Sequence, residues 1–271
     1  MPELPEVETT RRGIAGALIG HRVLDAIIRD RRLRWPIAPD FESKVLGEVV
    51  RRVERRAKYI LLGFDGGTAI VHLGMSGSLR VLAASAPALP HDHWDLRLDT
   101  GFILRFHDPR RFGSLHWTEE DPERHPLLAR LAPEPLGAQF DAEYLFQAAR
   151  RRKVAIKLLI MNSQVVVGVG NIYASEALFR AKLRPTRAAG RLTRVQSAAL
   201  VHAIKGVLAE AIEIGGTTLR DYVNAEGIPG YFRQRLFVYE RGGEPCRVCR
   251  TPLRQIIQGQ RSTYYCPTCQ P

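Results

Sequence analysis

The sequence predicts an α+β protein of two domains, β structure first and helices after, closed by a small module that holds a metal. Three observations lead there. Apolar residues alternating with period two, joined by turn residues, fill the chain from 59 to 107. A stretch pinned by Pro122, Pro126, Pro133 and Pro135 ends that pattern, and runs of helical period follow it. The 4 cysteines all lie between Cys246 and Cys269.

The elements follow in order. In the opening "MPELPEVETTRR", Pro5 suits a first helical turn, and Val7, Ile14, Ala17 and Leu18 form an apolar stripe ending near Gly20. The segment "YILLGFDGGTAIVHLGMSGSLRVL" reads as two apolar runs around "DGG", a hairpin signal. "HWDLRLDTGFILRFHD" repeats the device, with Trp94, Leu96 and Leu98 on one face before a turn at Thr100-Gly101. Hairpins at this spacing suggest a sandwich or a barrel. An interdomain linker is expected within 121–137. Beyond it, "DAEYLFQAAR", "VAIKLLIMN", "NIYASEALFRAKL" and "TRVQSAALVHAIKGVLAEAIEIGG" read as helices. The last begins with Thr193 as N-cap and Gln196 in the capping-box position, and stops at Gly215-Gly216.

Charge narrows the partners. Lysine and arginine number 40 against 28 acidic residues, a net charge of +12. That excess favours an anionic partner, nucleic acid ahead of an anionic membrane. Unbroken apolar runs such as "VVVGVG" at 165–170 are far too short to span a bilayer, and no charged leader with an apolar core opens the chain. A cytoplasmic protein is expected. The cysteines form C-x2-C-x16-C-x2-C, spacing that suits one tetrahedral zinc held by Cys246, Cys249, Cys266 and Cys269. With four thiolates bound, such a zinc is structural. A pair of redox dithiols is the weaker reading, because no βαβ pattern surrounds either pair.

Several motifs admit two explanations. "HDPRRFGSLHW" sets adjacent arginines beside Phe112 on a Pro- and Gly-bounded loop. It is either a solvated basic turn or an apolar wedge that enters a base stack. Met75 in "HLGMSGSLR" is either core filler or a second wedge. The basic run "RRVERRAKY" suits an exposed strand face, and "RRRK" at 150–153 an exposed helix end. "GVGN" lacks the Lys-Ser/Thr pair of a nucleotide loop, although Asn171 and the amides beside it could hold one phosphate.

Taken together, "PELPEVET", "RRAKY", "HLGMSGSLR", "DPRRFG", "VVGVGNIYASE", "GGTTLRDY" and "CRVC…QGQRSTYYCPTC" resemble the bacterial formamidopyrimidine-DNA glycosylase family over essentially the whole chain. The resemblance implies an N-terminal β-sandwich with an N-terminal helix (1–130), a helix-two-turn-helix domain (131–237) and a C-terminal β-hairpin zinc finger (238–271). It implies a monomer that binds double-stranded DNA and flips out an oxidised purine such as 8-oxoguanine. By matching positions, Pro2 is the nucleophile and Glu3 the acid/base. Lys58 and Arg261 grip phosphates and serve the elimination steps. Met75, Arg110 and Phe112 fill the void left by the flipped base, and His91, Arg152 and Asn171 touch DNA. Arg152 stands where the family pattern leads one to expect lysine, which keeps the charge and changes the geometry. Leu4 favours the purine-directed branch, since the sister endonuclease VIII group typically has glycine there.

The residues support this chemistry independently. Attack on a sugar C1′ needs a neutral amine. An α-amino group with a pKa of about 7.7–8.0 is roughly one-tenth neutral at pH 7, against roughly one in a few thousand for lysine. A proline amine gives an iminium cation, an electron sink that acidifies the C2′ proton. This requires removal of Met1. Two other readings stay open: an oxidised-pyrimidine glycosylase of the endonuclease VIII type, and a non-catalytic zinc-finger protein that recognises bent DNA.

Overall fold

The computed structural model describes residues 2–216 and 235–271, in two compact units. One holds residues 2–129 and 214–216, the other 130–213 and 235–271. The first division falls at Ala129, inside the proline-pinned stretch, whose only regular piece is a single 3-10 turn at Pro122–Arg124.

The first unit opens with helix α1 (Leu4–Leu18), followed by β1 (Val23–Ile28), the short α2 (Phe41–Val45) and β2 (Arg52–Arg56). Strands β3 (Tyr59–Gly63), β4 (Thr68–His72), β5 (Ser78–Ala83), β6 (Asp92–Leu98), β7 (Phe102–His107) and β8 (Ser114–Thr118) complete it. They form two antiparallel four-stranded sheets, ordered β1-β6-β7-β5 and β2-β3-β4-β8. Residues of both sheets meet in one core, with Leu79, Trp94, Leu96 and Leu104 from the first and Ile60, Leu62, Val71 and Leu115 from the second. This is a sandwich, not a barrel. Val7, Ile14 and Leu18 of α1 join the same core, as their spacing predicts, while Ala17 lies only partly covered. Trp94 and Phe106 stack at 5.3 Å between ring centroids.

The basic run at 51–56 is not a bare cationic face. Arg51 pairs with Asp65, Arg55 with Glu8 and Arg56 with Glu123, so three of its four arginines are neutralised locally.

The second unit contains α3 (Ala142–Ala149), α4 (Ile156–Ile160), α5 (Asn171–Arg180) and α6 (Arg194–Glu213), then the hairpin β9 (Arg254–Gln258) and β10 (Arg261–Tyr265). Thr193 and Gln196 make the reciprocal capping box, with each backbone N–H donating to the other side chain at 3.1 and 3.2 Å. Helix α6 has the length and hydropathy to cross a membrane. Its apolar stripe, from Leu200 through Ile204 and Leu208 to Ala211, is instead buried, and the helix packs on α3 and α5. It is a core helix.

The core predicts a sharp contrast between two leucines. Leu104→Ala, at a site with no exposure, should cost about 2–5 kcal/mol. Leu24→Ala, at a site 52% exposed, should change stability by no more than about 0.5 kcal/mol. Urea unfolding of the full chain measures both, and equal midpoint shifts would contradict this core.

Candidate active site and metal centre

The N-terminal residues are placed by the helix that follows them. Glu3 is the N-cap of α1, with extended backbone at φ −96° and ψ −172°. Pro5 sits in the first turn, where no N–H is needed. The Glu6 carboxylate reaches back and accepts the Glu3 N–H at 2.8 Å, and both side chains are buried. Glu8 pairs with Arg11, Arg12 and Arg55. Burial works to raise the Glu8 pKa, but these guanidinium groups outweigh it and hold the carboxyl below its usual range. The acidic opening therefore has structural partners at Glu6 and Glu8, and the geometry fixes Pro2 and Glu3 at the helix start. Helix α1 packs on β2, β3 and β5.

The first two of these strands are joined by the turn that holds Lys58. Ala57 and Lys58 form the two-residue turn between β2 and β3, with Ala57 in the left-handed region at φ +54°. Opposite Tyr59 in the next strand stands His72. Burial, then the charges of Lys58 and Arg34, push the His72 pKa down to about 4. Its Nδ1 accepts the Gly74 N–H at 2.9 Å, so the neutral ring carries its proton on Nε2. His72 is thus a neutral donor that feels the charges of Lys58 and Arg34. The sequence reading passed over His72, although it opens the same motif that carries Met75.

The loop after His72, the loop after β7 and Arg34 border an open cleft of about 500 Å³ lined by Arg34, His72, Gly74, Met75, Arg111 and Phe112. Met75 is 37% exposed and Phe112 42% exposed, so neither is core filler. The Arg110 guanidinium lies 5.0 Å from the centre of the Phe112 ring. Arg111, with φ +57°, turns to pair with Asp30 at 2.8 Å. His91 is exposed, has φ +73°, and accepts the Asp108 N–H at 3.0 Å through its backbone oxygen.

In the second unit a fully buried ammonium ties the hairpin to the helices. Lys157 Nζ donates to Asn171 Oδ1 at 2.6 Å, Thr263 Oγ1 at 2.7 Å and the Ser262 carbonyl at 3.3 Å. Asn171 Nδ2 donates to that same carbonyl at 2.9 Å. The Asn171 side chain is therefore engaged with the hairpin, one residue from Arg261. The hairpin turn is Gly259-Gln260, with φ +55° and +60°, the left-handed pair that suits a two-residue loop. Arg261 heads β10 and is exposed. Arg152 is exposed just past α3, its carbonyl accepting the Gly190 N–H at 2.8 Å.

Next to this hairpin, the Sγ atoms of Cys246, Cys249, Cys266 and Cys269 all lie within 4.8 Å of one another. Cys246 and Cys269 stand 4.0 Å apart, and Cys249 and Cys266 3.4 Å. A zinc–sulfur bond of about 2.3 Å in a tetrahedron sets sulfurs about 3.8 Å apart, so the set fits zinc. The Val248 and Cys269 N–H groups donate to sulfur at 3.4 Å, which suits thiolate ligands.

Comparison with known proteins agrees along the whole chain. Residues 1–115 match the formamidopyrimidine-DNA glycosylase N-terminal domain, 131–223 the H2TH domain of that enzyme, and 243–271 the zinc finger found in FPG and IleRS. With that match and its four thiols, the C-terminal module holds one structural zinc. The formamidopyrimidine-DNA glycosylase of Thioalkalivibrio sulfidiphilus is 61% identical and that of Methylococcus capsulatus 56%, each covering 100% of both chains. Among solved structures, the MutM (FPG) protein of Thermus thermophilus superposes with a TM-score of 0.88 at 39% identity, covering 99% of this chain and 98% of that one. A Lactococcus lactis FPG mutant in complex with Fapy-dG-containing DNA gives 0.92 at 28% identity, covering 99% of each. The Lactococcus lactis Fpg bound to abasic-site DNA gives 0.91 at 28% identity, again covering 99% of each. From its first motif to its last cysteine, this chain belongs to the formamidopyrimidine-DNA glycosylase family.

Proposed function

We propose that the protein is a DNA glycosylase and abasic-site lyase of base excision repair, acting on oxidised purines in double-stranded DNA. The full-length kinship carries this reading, because relatives covering 99% of both chains were solved on Fapy-dG and abasic-site DNA. The excess of cations suits the polyanion, and a bacterial repair enzyme of this kind works in the cytoplasm, at the nucleoid when bound to DNA.

With Met1 removed, the Pro2 nitrogen is a secondary amine just ahead of α1. The positive end of the helix dipole lies there, disfavours the ammonium form and so favours the nucleophile. The amine attacks C1′, the bond to the purine breaks, and the base leaves with the electron pair. Glu3 supplies the proton that opens the sugar at its ring oxygen. The resulting iminium draws electrons from the C2′–H bond: the proton leaves, the 3′-phosphate is expelled, and a second elimination expels the 5′-phosphate. Lys58 and Arg261 hold the phosphates, and His91, Arg152 and Asn171 add DNA contacts. Met75, Arg110 and Phe112 fill the vacated stack. The zinc fixes the hairpin that carries Arg261, since so short a segment cannot bury a core of its own.

Borohydride added during turnover should reduce the iminium and leave DNA attached to the N-terminal peptide at Pro2. An uncleaved N-terminal extension should abolish trapping. A cross-link mapped to Lys58 would overturn the nucleophile and leave the DNA-repair reading standing. An oxidised pyrimidine released faster than 8-oxoguanine from matched duplexes would favour the endonuclease VIII reading instead.

The wedge and the phosphate grips should differ in salt response. Lys58→Ala and Arg261→Ala should each flatten the slope of log K against log salt by about one. Phe112→Ala should weaken base extrusion and leave that slope nearly unchanged. Equal slope changes for Phe112→Ala and Arg261→Ala would sink the division of labour.

Chelation of zinc, or Cys249→Ala, should disable DNA binding while the β-sandwich stays folded. Metal analysis finding no zinc, or normal cleavage by Cys249→Ala, would count against it.

A further inference from the structure

Asp108 follows β7 and is fully buried. Among the described residues, its oxygens are met by a hydroxyl and by backbone N–H groups. Ser76, in the Met75 loop, donates its hydroxyl to Oδ1 at 2.9 Å. From the other loop, the Arg110 N–H reaches Oδ1 at 3.3 Å and the Gly113 N–H reaches Oδ2 at 2.8 Å. One carboxylate therefore holds the two loops that carry Met75, Arg110 and Phe112. Its backbone extends the connection, with the N–H to the His91 carbonyl at 3.0 Å and the carbonyl to His93 Nε2 at 2.8 Å.

The loops also interlock through their backbones. Gly74 has φ +67°, and a Cβ there would lie 2.4 Å from the Phe112 carbonyl carbon and the Gly113 nitrogen. A Cβ on Gly113 would lie 2.5 Å from the Phe106 ring and 2.8 Å from the His72 carbonyl. No side chain can separate the loops at this crossing, and a buried carboxylate that lost a donor would be left with an unmet charge. Either loop can move alone only by breaking these bonds.

We propose that Asp108 is a positioning residue that joins the two loops into one rigid wedge, so that Met75 and Phe112 enter the base stack as a unit. This rests on the reading of those side chains as the wedge. Two exposed apolar side chains on independent loops would each have to be ordered at the moment of insertion. Loops joined beforehand have already lost that freedom, and the binding energy can go into unstacking the bases.

The test is single-turnover excision by the full chain from a duplex with one 8-oxoguanine opposite cytosine. Ser76→Ala removes the hydroxyl that links the Met75 loop to Asp108 and leaves both wedge side chains in place. It should slow excision about tenfold, the scale of a lost hydrogen bond to a charged group. In a Met75→Ala/Phe112→Ala background the same change should have less than about a twofold effect, since nothing remains to be positioned. The double variant itself should lose about as much as the worse single one. Equal losses from Ser76→Ala in both backgrounds would overturn the proposal, because a purely structural defect lowers both alike. If Ser76→Ala lowers the thermal midpoint, Asp108→Asn, which keeps the shape and loses the second acceptor, makes the same comparison. Wild-type protein that releases no base defeats the enzymatic reading instead. Normal excision by both Met75→Ala and Phe112→Ala removes the wedge, and the proposal with it.

Discussion

A charged group buried in the fold must collect polar partners from wherever the chain can bring them, and the arrangement around Asp108 shows the result. Its two oxygens draw a hydroxyl and two backbone N–H groups out of separate loops. Leaving any of these unmet would cost more than making it gains, so the carboxylate acts less as glue than as a constraint on which loop conformations are allowed. The loops that carry Met75 and Phe112 both answer to it.

The second unit uses the same device twice. Lys157 is buried and is satisfied by Asn171, Thr263 and the Ser262 carbonyl, which fastens the hairpin of Arg261 to α4 and α5. Glu176 on α5 accepts the N–H groups of Phe237, Val238 and Tyr239, three successive amides that lead into the cysteine module. Burial raises the Glu176 pKa, and these donors and the Arg180 charge work against it. In each case a single buried charge joins segments far apart in sequence.

The cationic excess has a similar division. Many arginines are committed to carboxylates: Arg29 and Arg105 to Asp95, Arg180 to Glu210, and Arg55 to Glu8. What the net charge of +12 offers a polyanion is therefore a smaller set, with Arg261 and Arg152 among its exposed members. Counting basic residues identifies the class of partner, but pairing decides which of them can meet it.

Much was legible in the residues themselves. Local rules fixed the helix opened by Pro5, the faces of the hairpins at Trp94 and Leu96, the capping box at Thr193 and the thiolate tetrad, because each depends on neighbours a few positions away. The roles given to Pro2, Glu3, Lys58 and Arg261 came from family motifs, and their proof is chemical. The hairpins by themselves left sandwich and barrel open; the family motifs implied a sandwich, and the pairing of β5 with β7 and β4 with β8 shows it. Tertiary structure alone showed that the arginines at 51–56 are largely paired, and that Asn171 faces the hairpin. It also set His72 opposite Tyr59, the residue after Lys58, and gathered two loops around Asp108. Those partners lie more than ten residues apart, so no local spacing announces them, and what selects them is the cost of burying a polar group unsatisfied.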